Sequence, residues 1–221
     1  ENIDFDKWKF QDVYEHWKND NYREVQNTFD VPYNQLPAPS KILGGALEFD
    51  IDALGKVEKV TLDVEKAICL VEWENGAKLT TFVHAEKPLG WYKFENLPKE
   101  IEIDLISPAY NKKGDRRHVD QSMADLDQLG YEQGNIVKDG NSFTYDQKGW
   151  GDFAYQIHTS WERSGSDMTG VWSVSAESKG WPATQKATEI VSTEIAKSLN
   201  TSLNEHTQWW DDYWSRSHIE I

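Results

Sequence analysis

Six histidines, one cysteine and 38 acidic residues are the groups in this 221-residue chain that could hold a metal, attack a carbonyl or move a proton. The histidines stand at positions 16, 84, 118, 158, 206 and 218, and no two share a helix-like spacing of three or four. A metal site would have to be assembled by the fold alone, so no metal ligand and no cofactor is expected. Asp120, Asp125 and Asp127 crowd together. They lack the alternating oxygen ligands, central glycine and closing glutamate of a calcium loop, and read as a solvated acidic face. There is no Gly-x-Ser-x-Gly elbow, and Gly165-Ser166 falls between strand-like runs rather than at a strand-to-helix bend. No glycine-rich phosphate loop occurs either. Cys69 excludes an internal disulfide, and its neighbours Ala67, Ile68, Leu70 and Val71 mark it as inert strand core.

Paired carboxylates are the remaining chemistry, and here abundance blunts the signal. Among so many acids some pair must fall at a glycosidase separation by chance. Asp50, Asp52, Glu72, Glu74 and Asp152 are candidates in that sense only, and no catalytic residue is assigned. Asn200-Thr201-Ser202 matches a glycosylation acceptor but lies in a helical pattern, and it is given no role.

The aromatic content is the unusual feature: 11 Trp, 9 Tyr and 8 Phe. Such rings fill sandwich cores, and they also stack on the apolar faces of sugars while the indole N–H or phenol O–H bonds to hydroxyls. Both readings stay open. Trp91, Trp150, Trp161 and Trp181 are the candidate sugar-stacking rings, with Trp150 and Trp181 placed in turns. A formal charge of −15, from 23 basic against 38 acidic residues, repels nucleic acid and anionic membrane. No run of about 18 apolar residues is present to span a bilayer. The N-terminal Glu1-Asn2-Ile3-Asp4 lacks a signal-peptide pattern, as in a mature or trimmed form.

The elements that would carry these residues fall into three stretches. Residues 1–41 are a leader in which Trp8, Phe10, Val13, Tyr14 and Trp17 suggest one short helix. It is followed by a break at Val31 to Ser40, where three prolines withhold backbone donors. Residues 42–180 alternate strand and turn, with strands expected over 45–51, 57–64, 67–73, 78–84, 91–94, 101–106, 134–138, 142–146, 153–162 and 170–176. Asn75-Gly76 suggests a two-residue hairpin, and residues 120–129 a helical turn or two. Short strands between regular turns give a mainly β fold, an antiparallel β-sandwich. Residues 181–221 change period: Ile190, Val191, Ile195, Leu199 and Leu203 recur at helical steps and continue to Trp210 and Trp214. This predicts one C-terminal amphipathic helix of about 25 residues or more, starting near Pro182 or Thr184, packed on the sandwich or on a further domain.

The tail His206-Thr207-Gln208-Trp209-Trp210-Asp211-Asp212-Tyr213-Trp214-Ser215-Arg216-Ser217 resembles the H-x-x-W-W-x-x-[FY]-W-x-R-[ST] stretch of bacterial glycoside hydrolases of family 95 type and their relatives. There that stretch joins an N-terminal β-sandwich to an (α/α)6 barrel. Leu129-Gly130-Tyr131, Tyr145-Asp146-Gln147, Asp152-Phe153-Ala154-Tyr155, Thr61-Leu62-Asp63-Val64 and Trp73-Glu74-Asn75-Gly76 are similar to segments of the same sandwich. The resemblance implies a supersandwich plus linker helix of a six-hairpin glycosidase, and a periplasmic or extracellular location. Its partner would be a helical catalytic domain of the same polypeptide, reached through Trp209, Trp210, Tyr213, Trp214 and Arg216, with an oligo- or polysaccharide as a second partner. The catalytic groups would lie in that barrel, so the chain by itself is expected to hydrolyse nothing. A stand-alone carbohydrate-binding module and a self-contained sandwich glycosidase are the rival expectations.

Overall fold

The ten stretches with alternating character all become strands, and the pairing of the two most central ones sets the architecture. The computed structural model describes residues 9–34, 42–110 and 129–217, which divide into two compact units. One draws on residues 1–43 and 109–132, the other on 44–108 and 133–221.

The first unit contains α1 (Phe10–Lys18) and α2 (Tyr22–Asn34). Phe10, Tyr14 and Trp17 form a row of exposed rings along α1, with centroids 6.3 and 5.8 Å apart. Two helices thus replace the single short one expected, because Asp20 takes a left-handed φ of 53° and turns the chain between them. The break expected at Val31 also falls later, since α2 carries past Pro32 to Asn34. A proline removes one donor but keeps a helical φ, and near the last turn a helix can absorb that loss. The expected turn at 120–129 falls outside the described residues, apart from Leu129.

The second unit is an antiparallel β-sandwich with C-terminal helices. Its large sheet has the order β2 (Val57–Asp63), β3 (Ile68–Trp73), β4 (Lys78–Val83), β5 (Leu89–Glu95), β10 (Asp167–Glu177), β9 (Ala154–Ser164), β8 (Ser142–Lys148), β7 (Asn135–Lys138). Two four-stranded meanders therefore join at β5 and β10. Across that seam Gly90 pairs with Trp172 and Gly170 with Tyr92. A Cβ on Gly90 would lie 2.4 Å from the Trp172 ring and one on Gly170 would lie 2.1 Å from the Tyr92 ring. Each strand thus lends the other a glycine on which its aromatic ring lies flat, a device that restores packing where a glycine alone would weaken a sheet.

Strand alternation then gives the two faces different tasks. On one, Phe82, Leu89, Trp91 and Val171 meet Ile190 and Val191 of α3 (Ala187–Ile195) and Leu199 and Leu203 of α4 (Leu199–Arg216). On the other, Tyr92 and Phe94 meet Phe49 at centroid distances of 5.0 and 5.2 Å. Phe49 belongs to β1 (Ala46–Phe49), which pairs with β6 (Ile103–Ile106) as a small second sheet, followed by a 3-10 turn at Asp52–Leu54. Ile103 and Leu105 of β6 complete that core.

Two local expectations need correction. The Asn75-Gly76 hairpin is not a two-residue turn: Gly76 N–H donates to Trp73 O at 2.9 Å, Trp73 N–H donates to Ala77 O at 3.0 Å, and only Gly76 has positive φ, 88°. This is a three-residue loop, a type I turn followed by a left-handed glycine. The single C-terminal helix is two helices, starting at Ala187 rather than near Pro182. Ser198 breaks it with φ of 85°, which lets α4 leave the direction of α3 and cross strands nearer the other edge.

The glycine seam makes a direct expectation. Gly170→Ala forces the Tyr92 ring off its seat while leaving the backbone conformation accessible, and should destabilise the domain by about 1–3 kcal/mol in urea unfolding. An unchanged midpoint would mean that the ring has somewhere else to go.

Candidate functional site

Charge is buried where α3 and α4 cross the turn between β4 and β5. The turn begins at His84, whose side chain is fully enclosed. Its Nδ1 accepts the backbone N–H groups of Glu86 and Lys87 at 3.1 and 3.2 Å, so the ring is neutral and carries its proton on Nε2. Nε2 lies 3.7 Å from a carboxylate oxygen of Glu205 on α4 and makes no hydrogen bond. His206, one residue further along α4, is also buried: Nδ1 accepts Ala85 N–H at 3.1 Å and Nε2 donates to Lys66 O at 2.7 Å. One imidazole thereby joins α4 to two separate turns of the sheet. Lys87 completes the group by donating to Glu194 of α3 at 3.1 Å and to Glu205 of α4. Lys197 donates to the second oxygen of Glu194 at 2.9 Å.

These partners set the protonation of one another. Burial lowers the His84 pKa below its ordinary 6.5, and the neighbouring Lys87 charge and His206 act in the same direction. Burial alone would raise the Glu194 pKa, but the hydrogen bonds from Lys197 and Lys87 outweigh it and hold the carboxylate below its usual range. The Lys87 hydrogen bond lowers Glu205 likewise. Burial works to lower Lys87, while its bonds to Glu205 and Glu194 overcome that and raise it. Such a set fastens α3 and α4 to the turn between β4 and β5.

Beyond His206, α4 carries an aromatic ladder. Trp209 and Tyr213 stack at 5.4 Å and 9°, Trp210 and Trp214 at 6.0 Å and 28°, and the Trp214 indole N–H donates to Glu65 O at 2.9 Å. Trp209 and Trp210 are half-buried, whereas Tyr213 and Trp214 are exposed. Arg216 bends back to donate from Nε to Asp212 O at 3.0 Å, on its own helix. Of the residues expected at a domain interface, Trp210 and Trp214 thus touch the sheet side of α4, and Trp209 and Tyr213 form a second row.

The four candidate sugar-stacking rings separate cleanly. Trp91 is 1% exposed, beneath α4, with its indole N–H donating to Ser202 Oγ at 2.9 Å. Trp161 is 6% exposed and packs on Phe143. Burial denies both a sugar face, which corrects that expectation for these two. Trp150 and Trp181 are 58% and 63% exposed, on turns at one end of the sheet. Ser202, given no role as part of Asn200-Thr201-Ser202, is the hydroxyl that satisfies Trp91.

Four of the five candidate carboxylates serve a local contact. Asp50 accepts Asp52 N–H at 3.3 Å, Glu72 pairs with Lys78 at 3.0 Å, Glu74 with Lys56 at 2.9 Å, and Asp152 accepts Lys179 N–H at 3.0 Å. His158 bonds to Thr144 Oγ1 at 2.8 Å, and burial lowers its pKa. Among the described residues, no three His, Cys, Asp or Glu gather as metal ligands, and no helix is long and apolar enough to cross a membrane. Nothing in spacing marks Lys87 as the partner of Glu194 and Glu205, which lie 107 and 118 positions away.

No protein-family profile matches the sequence, and no curated protein matches it. Among solved structures, a chain named as a kojibiose phosphorylase from human microbiome is similar at 13% identity and a TM-score of 0.44, over 75% of this chain. The match covers 25% of that chain, so the present sequence spans about a quarter of that protein.

The fastening group makes stability acid-sensitive. A lowered His84 pKa means that the unfolded chain binds more protons, so stability falls as pH drops through about 6.5; a lowered Glu194 adds loss as pH falls further, through its folded value. Thermal unfolding between pH 7.5 and 5.5 should show a falling Tm. His84→Asn, which offers an amide oxygen to the same two N–H groups and cannot titrate, should make that fall shallower, leaving the part due to the likewise lowered His158. An equally steep fall in the variant would remove His84 from the account.

Proposed function

We propose that this chain is a non-catalytic β-sandwich domain of a carbohydrate-active enzyme, of the six-hairpin glycosidase kind, and that it packs on a helical catalytic domain of the same polypeptide. The observation that carries the reading is a corner of the sandwich unit. Trp214 bonds to the turn between β2 and β3, in which Val64 is 65% exposed, and α4 carries the exposed rings of Tyr213 and Trp214 at this corner. Val60, Leu62 and Val83, 62%, 65% and 60% exposed, lie on the Tyr92 face of the same sheet, opposite the helices. Exposed apolar surface of this kind marks a contact with another protein surface. The corner lies where α4, the bearer of the tail resembling the sandwich-to-barrel linkers of these hydrolases, comes to its end at Arg216.

The location of the other functional groups agrees with a supporting role. The buried His206 and Glu194 are used in holding α4 and α3 to the sheet, and Asp50, Glu72, Glu74 and Asp152 are engaged in turns or surface ion pairs. A periplasmic or extracellular setting follows from the same resemblance and belongs to the proposal.

Two measurements test it. The purified chain should turn over no chromogenic glycoside and release no sugar phosphate from a disaccharide with inorganic phosphate; turnover abolished by one Asp or Glu substitution would overturn the reading. Leu62→Lys with Val64→Lys should leave the isolated chain within about 0.5 kcal/mol of its stability, as exposed positions do. In the longer polypeptide the same pair should uncouple the melting of the two domains. Unchanged, coupled melting there would place the contact elsewhere.

A further inference from the structure

Trp150 and Trp181 are the two most exposed indoles among the described residues, and both sit on backbone that is unusually well fixed. In the β8–β9 connection, Gly149 N–H donates to Phe153 O at 2.8 Å and Phe153 N–H to Trp150 O at 3.1 Å, with Gly151 at φ 63°. After β10, Ser178 and Trp181 exchange both backbone hydrogen bonds at 2.9 Å around Lys179-Gly180, with Gly180 at φ 80°. Pro182 restricts the backbone of Trp181 further. Asp152 Oδ2 then accepts Lys179 N–H at 3.0 Å, so one turn is tied to the other.

The surroundings of the rings select the partner. Gly151 and Gly180 have open space where a side chain would stand, and Asp152, Lys179 and Pro182 are exposed. The indoles therefore rise from glycine and charged residues rather than from an aliphatic patch, unlike the packed centre of a protein interface. A net charge of −15 disfavours nucleic acid, anionic lipid and acidic glycans. Neutral sugars fit what remains: apolar ring faces for the indoles, and hydroxyls for the indole N–H groups and the Lys179 ammonium.

We infer that Trp150 and Trp181 form a carbohydrate-binding surface that takes a neutral oligo- or polysaccharide by stacking pyranose rings on two indoles held in place by cross-tied turns. The inference does not depend on the scaffold reading, since a chain with or without a catalytic partner could carry such a surface. Asp152 is a positioning residue for the pair through Lys179.

The test is isothermal calorimetry of the chain against neutral gluco-, galacto-, manno- and xylo-oligosaccharides and the corresponding polysaccharides. At least one should give saturable heat. Trp150→Ala and Trp181→Ala should each weaken that binding about tenfold, at unchanged Tm because both rings are exposed. Asp152→Ala should weaken it while both rings remain, and Asp152→Asn, which keeps an acceptor for Lys179 N–H, should restore it. Silence across the panel, or a double tryptophan variant that binds as the unmodified chain does, would overturn the inference. Concentration-dependent dimerisation lost in the double variant without sugar binding would also overturn it, by assigning the rings to protein contact. A failure of the scaffold reading shows itself separately, as turnover.

Discussion

The seam between β5 and β10 is the constraint from which the rest of this domain follows. Two meanders of four strands each could form separately, but neither would have enough of a second layer to bury its central aromatics. Joining them needs two strands to approach with bulky rings on the same face, and the reciprocal pairs Gly90 with Trp172 and Gly170 with Tyr92 allow it. The pairs also fix register. Slipping by one residue would set ring against ring and turn the rest of each strand to the wrong face.

Once register is set, alternation places Trp91 and Tyr92 on opposite faces, and each recruits its own cover. Tyr92 donates to or accepts from Thr159 Oγ1 at 3.2 Å and meets the edge of Phe49, which draws the small sheet over one face. Trp91 needs a partner for its indole N–H, and Ser202 on α4 supplies it. The helices on this face then add the group of His84, Lys87, Glu194, Glu205 and His206. Desolvation offsets much of the attraction within a buried charged group of this sort. Its backbone partners are specific: His206 bonds to Ala85 N–H and Lys66 O, and a one-turn slide of α4 would lose both.

Local periodicity carried the strand content in plain view. Val57 to Val64, Ala67 to Trp73 and Phe153 to Glu162 alternate or run apolar as strands do, and they are β2, β3 and β9 within a residue or two. Conformations decided by a single residue were not legible in the same way. Asn75-Gly76 fits two turn types, and tertiary pairing of Trp73 with Ala77 chooses the longer one. Ser198 carries no sequence mark of a left-handed break, so α3 and α4 read as one helix. Trp91 and Trp150 have the same side chain in the sequence. Only the face of β5 under α4, against the tip of a turn, separates a core ring from a solvent-facing one. His206 stood inside a legible motif, yet its task needs Lys66 and Ala85, 140 and 121 positions away.

The distribution of exposed rings carries the last step. Each exposed indole leaves in water a ring that could bury roughly 150–250 Å2. Two groups of exposed apolar residues in the sandwich unit differ in character. At the β2–β3 turn Val64, Tyr213 and Trp214 are mixed aliphatic and aromatic, which suits a dry contact with another protein surface. At the β8–β9 end Trp150 and Trp181 stand alone on glycine turns, which suits a thin ligand with flat apolar faces and a polar rim. The same eight-stranded sheet runs between them, and its length separates a surface suited to holding a domain from one suited to holding a sugar.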